Sequence, residues 1–349
     1  MSISKLTFRR QILQIIVIGI VLFLMGCSQD SNDSSTTVKI GSSETMDLFN
    51  PTVEILSRII NTDISRNEII ADNIMTGGSG ENIRRLLNKT LDCALVNDIV
   101  AVMAYRGYKP FRDYVNHKNL RSMCSFFPEG IFFIVNVNSG IKSFADIKGK
   151  RIGIAPSGSA SIGDIAKYML DYYKISEKDF TRLPYGLVKS VTELEEGNID
   201  GFLYVTAQPS PYIMGLTNSK KVKCEFIPLS SKLMKFLKTK YPSLTYVKIP
   251  AEMYPDSINQ TEITTLGTRA LLLTMKEMDF DTVYYLTKEI CTYFSAYESV
   301  HPAYKEVTLE SMAKFLTLPV HPGALKYYKE AGLEKYIPKE LLQGETVKP

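Results

Sequence analysis

The chain has 349 residues, of which 45% are hydrophobic and 22% are charged. This composition is typical of a globular protein and excludes a disordered or fibrous one. The formal net charge of +4 includes Lys5, Arg9 and Arg10, and no acidic residue precedes Cys27, which leaves +1 for the rest of the chain. A nearly neutral chain without a basic stripe is not expected to bind nucleic acid.

The amino terminus is typical of a secretory signal. The basic segment MSISKLTFRR precedes the apolar run QILQIIVIGIVLFLM, which is short for a membrane-spanning helix. LMGC at residues 24–27 resembles a bacterial lipobox, whose cysteine is lipidated and becomes the new amino terminus. We predict a lipoprotein signal peptide over 1–26, lipidation of Cys27 and a flexible tether over 27–37. A single-pass anchor helix is the alternative.

Residues that carry catalytic or metal chemistry are few. The cysteines after Cys27 stand in apolar segments at spacings that match no metal site, so we predict buried free thiols, although an extracytoplasmic location permits disulfides. They are Cys93, Cys124, Cys224 and Cys291. His301 and His321 precede prolines, which favours extended backbone and a structural role. No nucleophile motif is present, and we predict a protein that is not an enzyme and uses no metal or cofactor.

Strand and helix patterns alternate along the chain. The predicted strands are 36–43, 68–75, 92–98, 130–137, 151–155, the second half of 191–206, and 268–275. The predicted helices are 50–61, 80–90, 99–107, a segment around 162–169, the first half of 191–206, and 280–297. This alternation indicates an α/β fold with a mostly parallel sheet covered on both faces.

Several of these strands end in a turn of small polar residues, such as TGGS at 76–79. In open α/β sheets, ligands bind outside the carboxyl ends of the strands, where helix amino termini favour carboxylate or phosphate. The alternative is that each turn only starts a helix, with Ser79 as an N-cap.

Four longer segments together resemble the TAXI family, the extracytoplasmic solute-binding proteins of tripartite ATP-independent periplasmic (TRAP) transporters. They are TGGSGENIRRLLNKTLDCALVND, SGIKSFADIKGKRIGIAPSGSAS, LEEGNIDGFLYVTA and LPVHPGALKYYKEAG. The resemblance runs from about Val38 to about Gly332. It implies a two-lobed periplasmic-binding-protein (type II) fold, each lobe a mostly parallel sheet flanked by helices. It also implies a small ligand, glutamate-like or a dicarboxylate, that is bound between the lobes and delivered to TRAP permease subunits driven by an ion gradient.

The resemblance further implies which residues bind the ligand, in five loops that follow strands. They are Ser42, Ser43, Thr45, Asn50, Thr76, Gly77, Gly78, Ser79, Asn97, Asp98, Ser157, Gly158, Ser159, Ser161, Thr206, Ala207 and Gln208. The TGGS loop matches the family fully. In the first loop Met46 and Asp47 replace two glycines and Asn50 replaces a tyrosine, and Gln208 replaces a glycine of the last loop, which adds bulk near the cleft.

Glu44, Asp47 and Asp98 add negative charge to loops that ordinarily receive an anion. At short range in a cleft, they would oppose a carboxylate by several kcal/mol. We therefore hypothesise a ligand with a cationic or strongly hydrogen-bonding part, such as an amino acid or another zwitterion. The alternative is that these acids face outward and the ligand is an ordinary carboxylate.

We predict lobe 1 over 38–130 plus 250–349 and lobe 2 over 131–249. The strands at 126–136 and 264–274 would cross between the lobes and bend as the cleft opens and closes. The expected protein is a monomer at the cell envelope, anchored in the membrane and facing the periplasm or the exterior. Its alternatives are the binding protein of an ABC importer or membrane sensor, and a surface lipoprotein with a degenerate cleft.

Overall fold

A computed structural model describes residues 36–43, 48–62, 69–155, 161–259 and 261–342. Its strands are β1 Thr36–Gly41, β2 Ile69–Ile74, β3 Cys93–Asn97, β4 Leu120–Asn136, β5 Arg151–Ile154, β6 Thr181–Leu183, β7 Gly201–Thr206, β8 Cys224–Phe226, β9 Thr245–Ile249 and β10 Ile263–Met275. Its α-helices are α1 Phe49–Thr62, α2 Ser79–Leu87, α3 Asp98–Tyr105, α4 Ser161–Tyr173, α5 Leu187–Glu195, α6 Pro211–Thr217, α7 Ser231–Lys240, α8 Phe280–Tyr293, α9 Leu309–Lys314, α10 Pro322–Glu330 and α11 Lys339–Leu342. Within these ranges, no helix has the length and apolar character needed to cross a bilayer.

The strands form one sheet in the order β2-β1-β3-β10-β4-β7-β5-β6, with β8 beside β4 and β9 beside β10. β1 is parallel to β3, and β5 is parallel to β6 and β7. β10 is antiparallel to β3, β4 and β9, and β4 is antiparallel to β7 and β8. The sheet is therefore mixed. The expected parallel pairing holds towards its two ends, and antiparallel pairing prevails at its centre.

β4 and β10 are the long central strands of this sheet. They contain the two segments predicted to cross between lobes, 126–136 and 264–274, and residues 120–130 of β4 pair with residues 267–275 of β10. The carboxyl-terminal part of β10 pairs with β3, whereas its amino-terminal part pairs with β9. Where β10 changes partner, Gly267 lies opposite Gly130, and a Cβ on Gly267 would stand 2.8 Å from the Glu129 carbonyl oxygen. This close approach of two backbones requires glycine.

Helices cover both faces of each half of the sheet. In the first half, with β1, β2 and β3, α1, α8 and α10 pack on one face and α2 and α3 on the other. In the second half, with β5, β6 and β7, α4 and α7 pack on one face and α5 and α6 on the other. Ala270 and Leu272 of β10 point to the α1 face, and Leu271 and Leu273 to the α3 face. This is the alternation that a strand imposes.

Helix α3 contacts both halves. Val100 and Ala104 pack in the hydrophobic cluster of the first half, whereas Ile99 and Met103 pack in that of the second half. Its sequence, DIVAVMAY, is accordingly apolar on nearly every side, as expected for a buried helix.

The predicted strands and helices are confirmed in order, with ends that differ by a few residues. The strands predicted at 130–137 and 268–275 are the ends of the longer β4 and β10. The patterns do not predict β6, β8 and β9, which have three to five residues each and carry little periodicity. The described residues from Thr37 onward belong to one compact unit, and the predicted lobe boundaries within it stay a prediction.

Candidate functional site

The TGGS loop connects β2 to α2, and its shape depends on glycine. Gly78 has φ 91° and ψ −161°, a conformation that only glycine adopts readily. It is the N-cap of α2 and offers the first turn no side chain. The Gly77 N–H donates to Glu81 Oε2 at 2.9 Å, which holds the loop against the helix. The interpretation of Ser79 as an N-cap is wrong, because Ser79 is the first residue of α2.

Ser79 instead joins this loop to the next one. Its Oγ accepts a hydrogen bond from the Asn97 backbone N–H at 2.9 Å. Asn97 ends β3 and is the N-cap of α3, and its side-chain oxygen accepts from the Ile99 N–H at 3.2 Å. One hydroxyl therefore links the carboxyl ends of β2 and β3.

Asn82 and Thr76 extend this linkage to β1. Asn82 is fully buried, and its Nδ2 donates to the carbonyl oxygens of Ser42 at 2.7 Å and Leu95 at 2.8 Å. Thr76 Oγ1 lies 2.8 Å from the Ser42 carbonyl oxygen and 2.7 Å from Asn82 Oδ1, and it accepts from the Gly78 N–H at 3.1 Å. A single buried amide thus holds the ends of three strands together.

Ser42, Ser43 and Asn50 are buried between β1 and α1. Ser42 Oγ donates to Asn73 Oδ1 at 2.7 Å, and Asn73 Nδ2 donates to Asn50 Oδ1 at 3.3 Å. Asn50 Nδ2 donates to the Ser43 carbonyl oxygen at 3.5 Å. The Asn50 side chain is therefore bound to its neighbours and supports the loop.

A buried acid lies beside Asn97. Asn97 Nδ2 donates to Glu129 Oε2 at 2.9 Å and to the Thr268 hydroxyl at 2.5 Å. Glu129 is 9% exposed and lies in the middle of β4, and Thr268 lies in the middle of β10. This network connects the loop after β3 to the two central strands. Glu129 is not among the predicted site residues. Its signal in the sequence is that it is the one charged residue in the apolar segment FFPEGIFFIVN.

The loop after β7 lies in the second half of the sheet and is also bound internally. Thr206, Ala207 and Gln208 are buried, and Gln208 Nε2 donates to the Thr206 carbonyl oxygen at 3.2 Å. Gln208 Oε1 accepts from the Tyr254 hydroxyl, which accepts in turn from the Ser210 N–H at 2.8 Å. The Gln208 side chain is therefore held within its own half of the sheet.

A histidine joins this loop to the carboxyl-terminal part of the chain. His301 Nδ1 accepts from the Ala303 N–H at 3.1 Å, so Nε2 carries the proton and donates to the Pro209 carbonyl oxygen at 3.2 Å. Burial lowers the pKa of His301, in keeping with a neutral ring. His321 similarly accepts from the Gly323 N–H at 3.2 Å. Both histidines are N-caps with extended backbone followed by proline, as their structural role predicts.

Asp98 lies apart from these loops. It is the first residue of α3, and burial raises the pKa of its carboxyl to about 6, against a hydrogen bond from Ser243. Asp98 lines a cavity of about 860 Å³ to which no other described residue of the predicted site contributes. Arg269 lines the same cavity, and burial lowers its pKa to about 10.

The predicted free thiols are confirmed for the four cysteines that the structure describes. Cys93, Cys124, Cys224 and Cys291 are buried and unbridged. In the described part of the chain, no group of three or more His, Cys, Asp or Glu side chains is arranged to hold a metal ion.

Several predicted residues lie outside the described ones. These are Cys27, Thr45, Ser157, Gly158 and Ser159, together with Glu44, Met46 and Asp47. Ser161 begins α4. The loops after β2, β3 and β7 and the start of the first loop are therefore the described parts of the predicted site.

Comparison with known proteins identifies the family and the fold of this chain. A protein from Bordetella bronchiseptica RB50 has 16% identity to the chain and a TM-score of 0.50, with 88% of this chain and 86% of that chain covered. The periplasmic aliphatic sulphonate binding protein SsuA from Escherichia coli has 11% identity and a TM-score of 0.43, covering 88% and 81%. The alkanesulfonate-binding protein SsuA from Xanthomonas axonopodis pv. citri, bound to MOPS, has 14% identity and a TM-score of 0.43, covering 88% and 96%.

The Bordetella protein and this chain share a fold. The predicted α/β periplasmic-binding-protein fold is confirmed, with a mixed sheet. The family model of the NMT1-like family matches residues 40–332, and the chain therefore belongs to the NMT1-like family.

Proposed function

We propose that the protein is a lipid-anchored, extracytoplasmic solute-binding protein of the TAXI type. It captures a small polar organic ligand between the two halves of its sheet and delivers it to a TRAP-type, ion-driven importer. The observation that supports this best is the convergence of the loops after β1, β2 and β3, tied together by Asn82, Thr76 and Ser79. Strand ends that meet in this way are the usual ligand sites of α/β sheets.

The closure of the two halves is supported by the contact between His301 and the loop after β7. His301 donates to the Pro209 carbonyl oxygen, and these residues fall in different predicted lobes. β4 and β10 run continuously between the halves and would act as the hinge.

The ligand class follows from the groups that this scaffold positions. The side chains of Ser42, Thr76 and Asn97 each have a hydrogen-bond partner within the protein, so they shape the loops more than they contact the ligand. The first turn of α2, whose N-cap Gly78 has no side chain, offers backbone N–H groups to a carboxylate. The buried carboxylate of Glu129 suits an ammonium group. A ligand with both groups, an amino acid, fits best.

Thermal unfolding of the full chain in detergent tests this with L-glutamate, L-alanine and succinate. A ligand at 100 times its Kd adds about 2.7 kcal/mol to the free energy of unfolding, so binding raises the Tm. We expect the amino acids to raise it and succinate to leave it unchanged. Stabilisation by succinate alone would contradict the amino-acid assignment. Absence of any shift would support a degenerate cleft.

Glu129→Gln is the matching variant. It keeps the hydrogen-bonding shape but removes the charge, and we expect amino-acid binding to weaken at least about tenfold because a charged hydrogen bond is lost. Glu310→Gln, on the surface of α9, is the control and should bind normally. Unchanged binding by Glu129→Gln would exclude Glu129 from the site.

Transport and anchoring are tested in cells. Uptake that stops when the sodium gradient is collapsed supports a TRAP-type importer, whereas uptake that depends only on ATP supports an ABC importer. Cys27→Ala should move the protein from the membrane fraction to the soluble fraction if Cys27 carries the lipid.

A further inference from the structure

The cavity of about 860 Å³ beside β10 is built from both halves of the sheet. One wall is the face of α3 that carries Asp98 and Val102, and Arg106, which follows the helix directly, continues it. Another is the segment 241–244 between α7 and β9, and Arg269 of β10 and the chain after α9 complete it. The cavity is thus placed between the first half and the second half, on the side of α3.

Unpartnered polar atoms concentrate at this cavity. In the described part of the chain, six buried side-chain polar atoms have no hydrogen-bond partner. Three of them, Asp98 Oδ1, Arg269 Nε and Thr317 Oγ1, belong to side chains that line the cavity. Buried polar groups are nearly always paired, so such a concentration points to a missing partner.

Arg269 is a buried cation on which the charges of Glu306 and Asp98 act without either carboxylate forming an ion pair with it. It is 7% exposed, Nη1 donates to the Phe126 carbonyl oxygen at 2.8 Å, and the guanidinium carbon stands 3.7 Å from the centre of the Phe315 ring. Among the described residues it forms no ion pair within 4.0 Å. A buried guanidinium of this kind favours an anion beside it.

Asp98 provides the opposite charge. It is 1% exposed, and its Oδ1 accepts no hydrogen bond in the described part of the chain. The charges of Asp98 and Arg269 act on each other, yet the two side chains are not paired. A ligand that carries both an anionic group and a neighbouring hydrogen-bond donor would satisfy both.

The remaining lining favours an organic anion. Lys240 and Lys314 add positive charge, whereas Glu340 is the one further acid. Leu244, Leu316 and Leu341 contribute apolar surface. An excess of cations attracts an anion, and the apolar wall is suited to the rest of an organic molecule.

We propose that this cavity is a second binding site, for an organic acid with an amino or hydroxyl group next to its carboxylate and an apolar remainder. Arg269 donates to the carboxylate, and Asp98 accepts from the neighbouring N–H or O–H. The apolar part packs against Phe315 and Leu316. The site is separate from the loops at the strand ends and does not depend on their function.

Calorimetric titration of the full chain in detergent tests the ligand class with three probes, L-tryptophan, indole-3-lactate and indole-3-propionate. The first two carry the donor next to the carboxylate and the third lacks it. The chain contains no tryptophan, so indole fluorescence of a bound probe is also read without a tryptophan background. We expect the first two to bind and indole-3-propionate to bind at least tenfold more weakly. Equal binding of all three, or binding of none, would overturn the proposal.

Two valine variants place the site. Val102→Phe fills the cavity and should weaken binding of indole-3-lactate at least tenfold. Val188→Phe makes the same change at an exposed position of α5 that does not line the cavity, and should bind normally. Unchanged binding by Val102→Phe would overturn the assignment to this cavity.

Two carboxylate variants separate this site from the loops. Asp98→Asn removes the acceptor charge and should weaken binding of indole-3-lactate at least tenfold while the protein stays folded, as its thermal unfolding will show. Glu129→Gln should leave that binding unchanged. Loss of binding in Glu129→Gln with none in Asp98→Asn would mean that the probe occupies the strand-end loops, which contradicts a second site.

Discussion

The loops at the strand ends and the cavity beside β10 differ in whether their buried polar side chains have hydrogen-bond partners. In the loops, the side chains of Ser42, Thr76 and Asn97 find partners within the protein. In the cavity, Asp98 and Arg269 each keep a buried polar atom without a partner. The first region is a scaffold whose parts hold each other in place. The second is charged and keeps unpaired polar atoms, which is what the proposed second binding site requires.

The largest expected effect comes from breaking the scaffold. Asn82→Leu leaves the carbonyl oxygens of Ser42 and Leu95 and the Thr76 hydroxyl without their buried partner. We expect the free energy of unfolding to fall by about 3 kcal/mol or more, measured by urea denaturation.

The control for Asn82→Leu is Asn88→Leu, at the exposed carboxyl end of the same helix. It should change stability by about 0.5 kcal/mol or less. Similar effects of the two substitutions would show that the Asn82 amide does not hold the strand ends together.

The next effect should have the opposite sign, because the cavity holds an unfavourable charge. Burial raises the pKa of Asp98 from 3.8 to about 6, so the folded protein binds this proton more tightly than the unfolded chain. The ionised carboxyl therefore costs stability above about pH 6, and the cost disappears as the pH falls towards the unfolded value. Asp98→Asn should stabilise the protein by about 2 kcal/mol at about pH 7.5.

Urea denaturation of Asp98→Asn and the natural protein at several pH values checks this sign. The difference between the two should shrink to near zero at about pH 4. Asp171→Asn, an exposed position on α4, is the matched control. A destabilised Asp98→Asn at neutral pH would mean that the carboxylate is satisfied in the native cavity.

A smaller effect should distinguish Gly77 from Gly78 in the TGGS loop. Gly78 has φ 91°, and alanine there is strained by about 1–2 kcal/mol even though no atom obstructs its Cβ. At Gly77, the new Cβ would meet only the flexible end of Glu81 at 3.1 Å. Thermal unfolding should show a clearly larger loss for Gly78→Ala than for Gly77→Ala, and the reverse order would contradict the backbone argument.

The smallest effect concerns the contact between His301 and the loop after β7. The folded-state pKa of His301 is lowered, so its contribution to stability is present at neutral pH and is lost as the pH falls below about 6.5, the ordinary value of histidine. His301→Asn keeps an acceptor for the Ala303 N–H but does not titrate. The stability advantage of the natural protein over this variant should be about 1 kcal/mol or less and should decrease below about pH 6.5. A stability advantage that grows as the pH falls would contradict the lowered pKa of His301.

Much of the fold could be predicted because local patterns decide it. The strand at 36–43 and the helix at 80–90 follow from apolar periodicity and a glycine turn, and both appear close to the predicted positions. The antiparallel pairing of β4 with β3's neighbour β10 could not be predicted, because it joins residues far apart in sequence. No local period encodes such a partner.

The site was predictable in its loops and not in its contacts. Motif spacing led to Thr76 and Ser79, but the partner of each hydroxyl depends on how the strands assemble. The surroundings of Asp98 could not be predicted for a similar reason. As the first residue of α3, it lies next to Asn97 in sequence, yet it lines a cavity completed by Arg269, a residue of β10 far along the chain.

The position of β10 in the sheet also has a consequence for biogenesis. β3 and β4 are neighbours in sequence, but β10 lies between them in the sheet. The β10 side of β3, where Asn97 pairs with Ala270, therefore stays unpaired until β10 has been synthesised. β5, β6 and β7, by contrast, are close in sequence and can pair early. A ribosome releasing this chain would therefore expose an unfinished first half while the second half already has its partners. Such a chain would stay open to export machinery or chaperones until nearly the whole of it has been made.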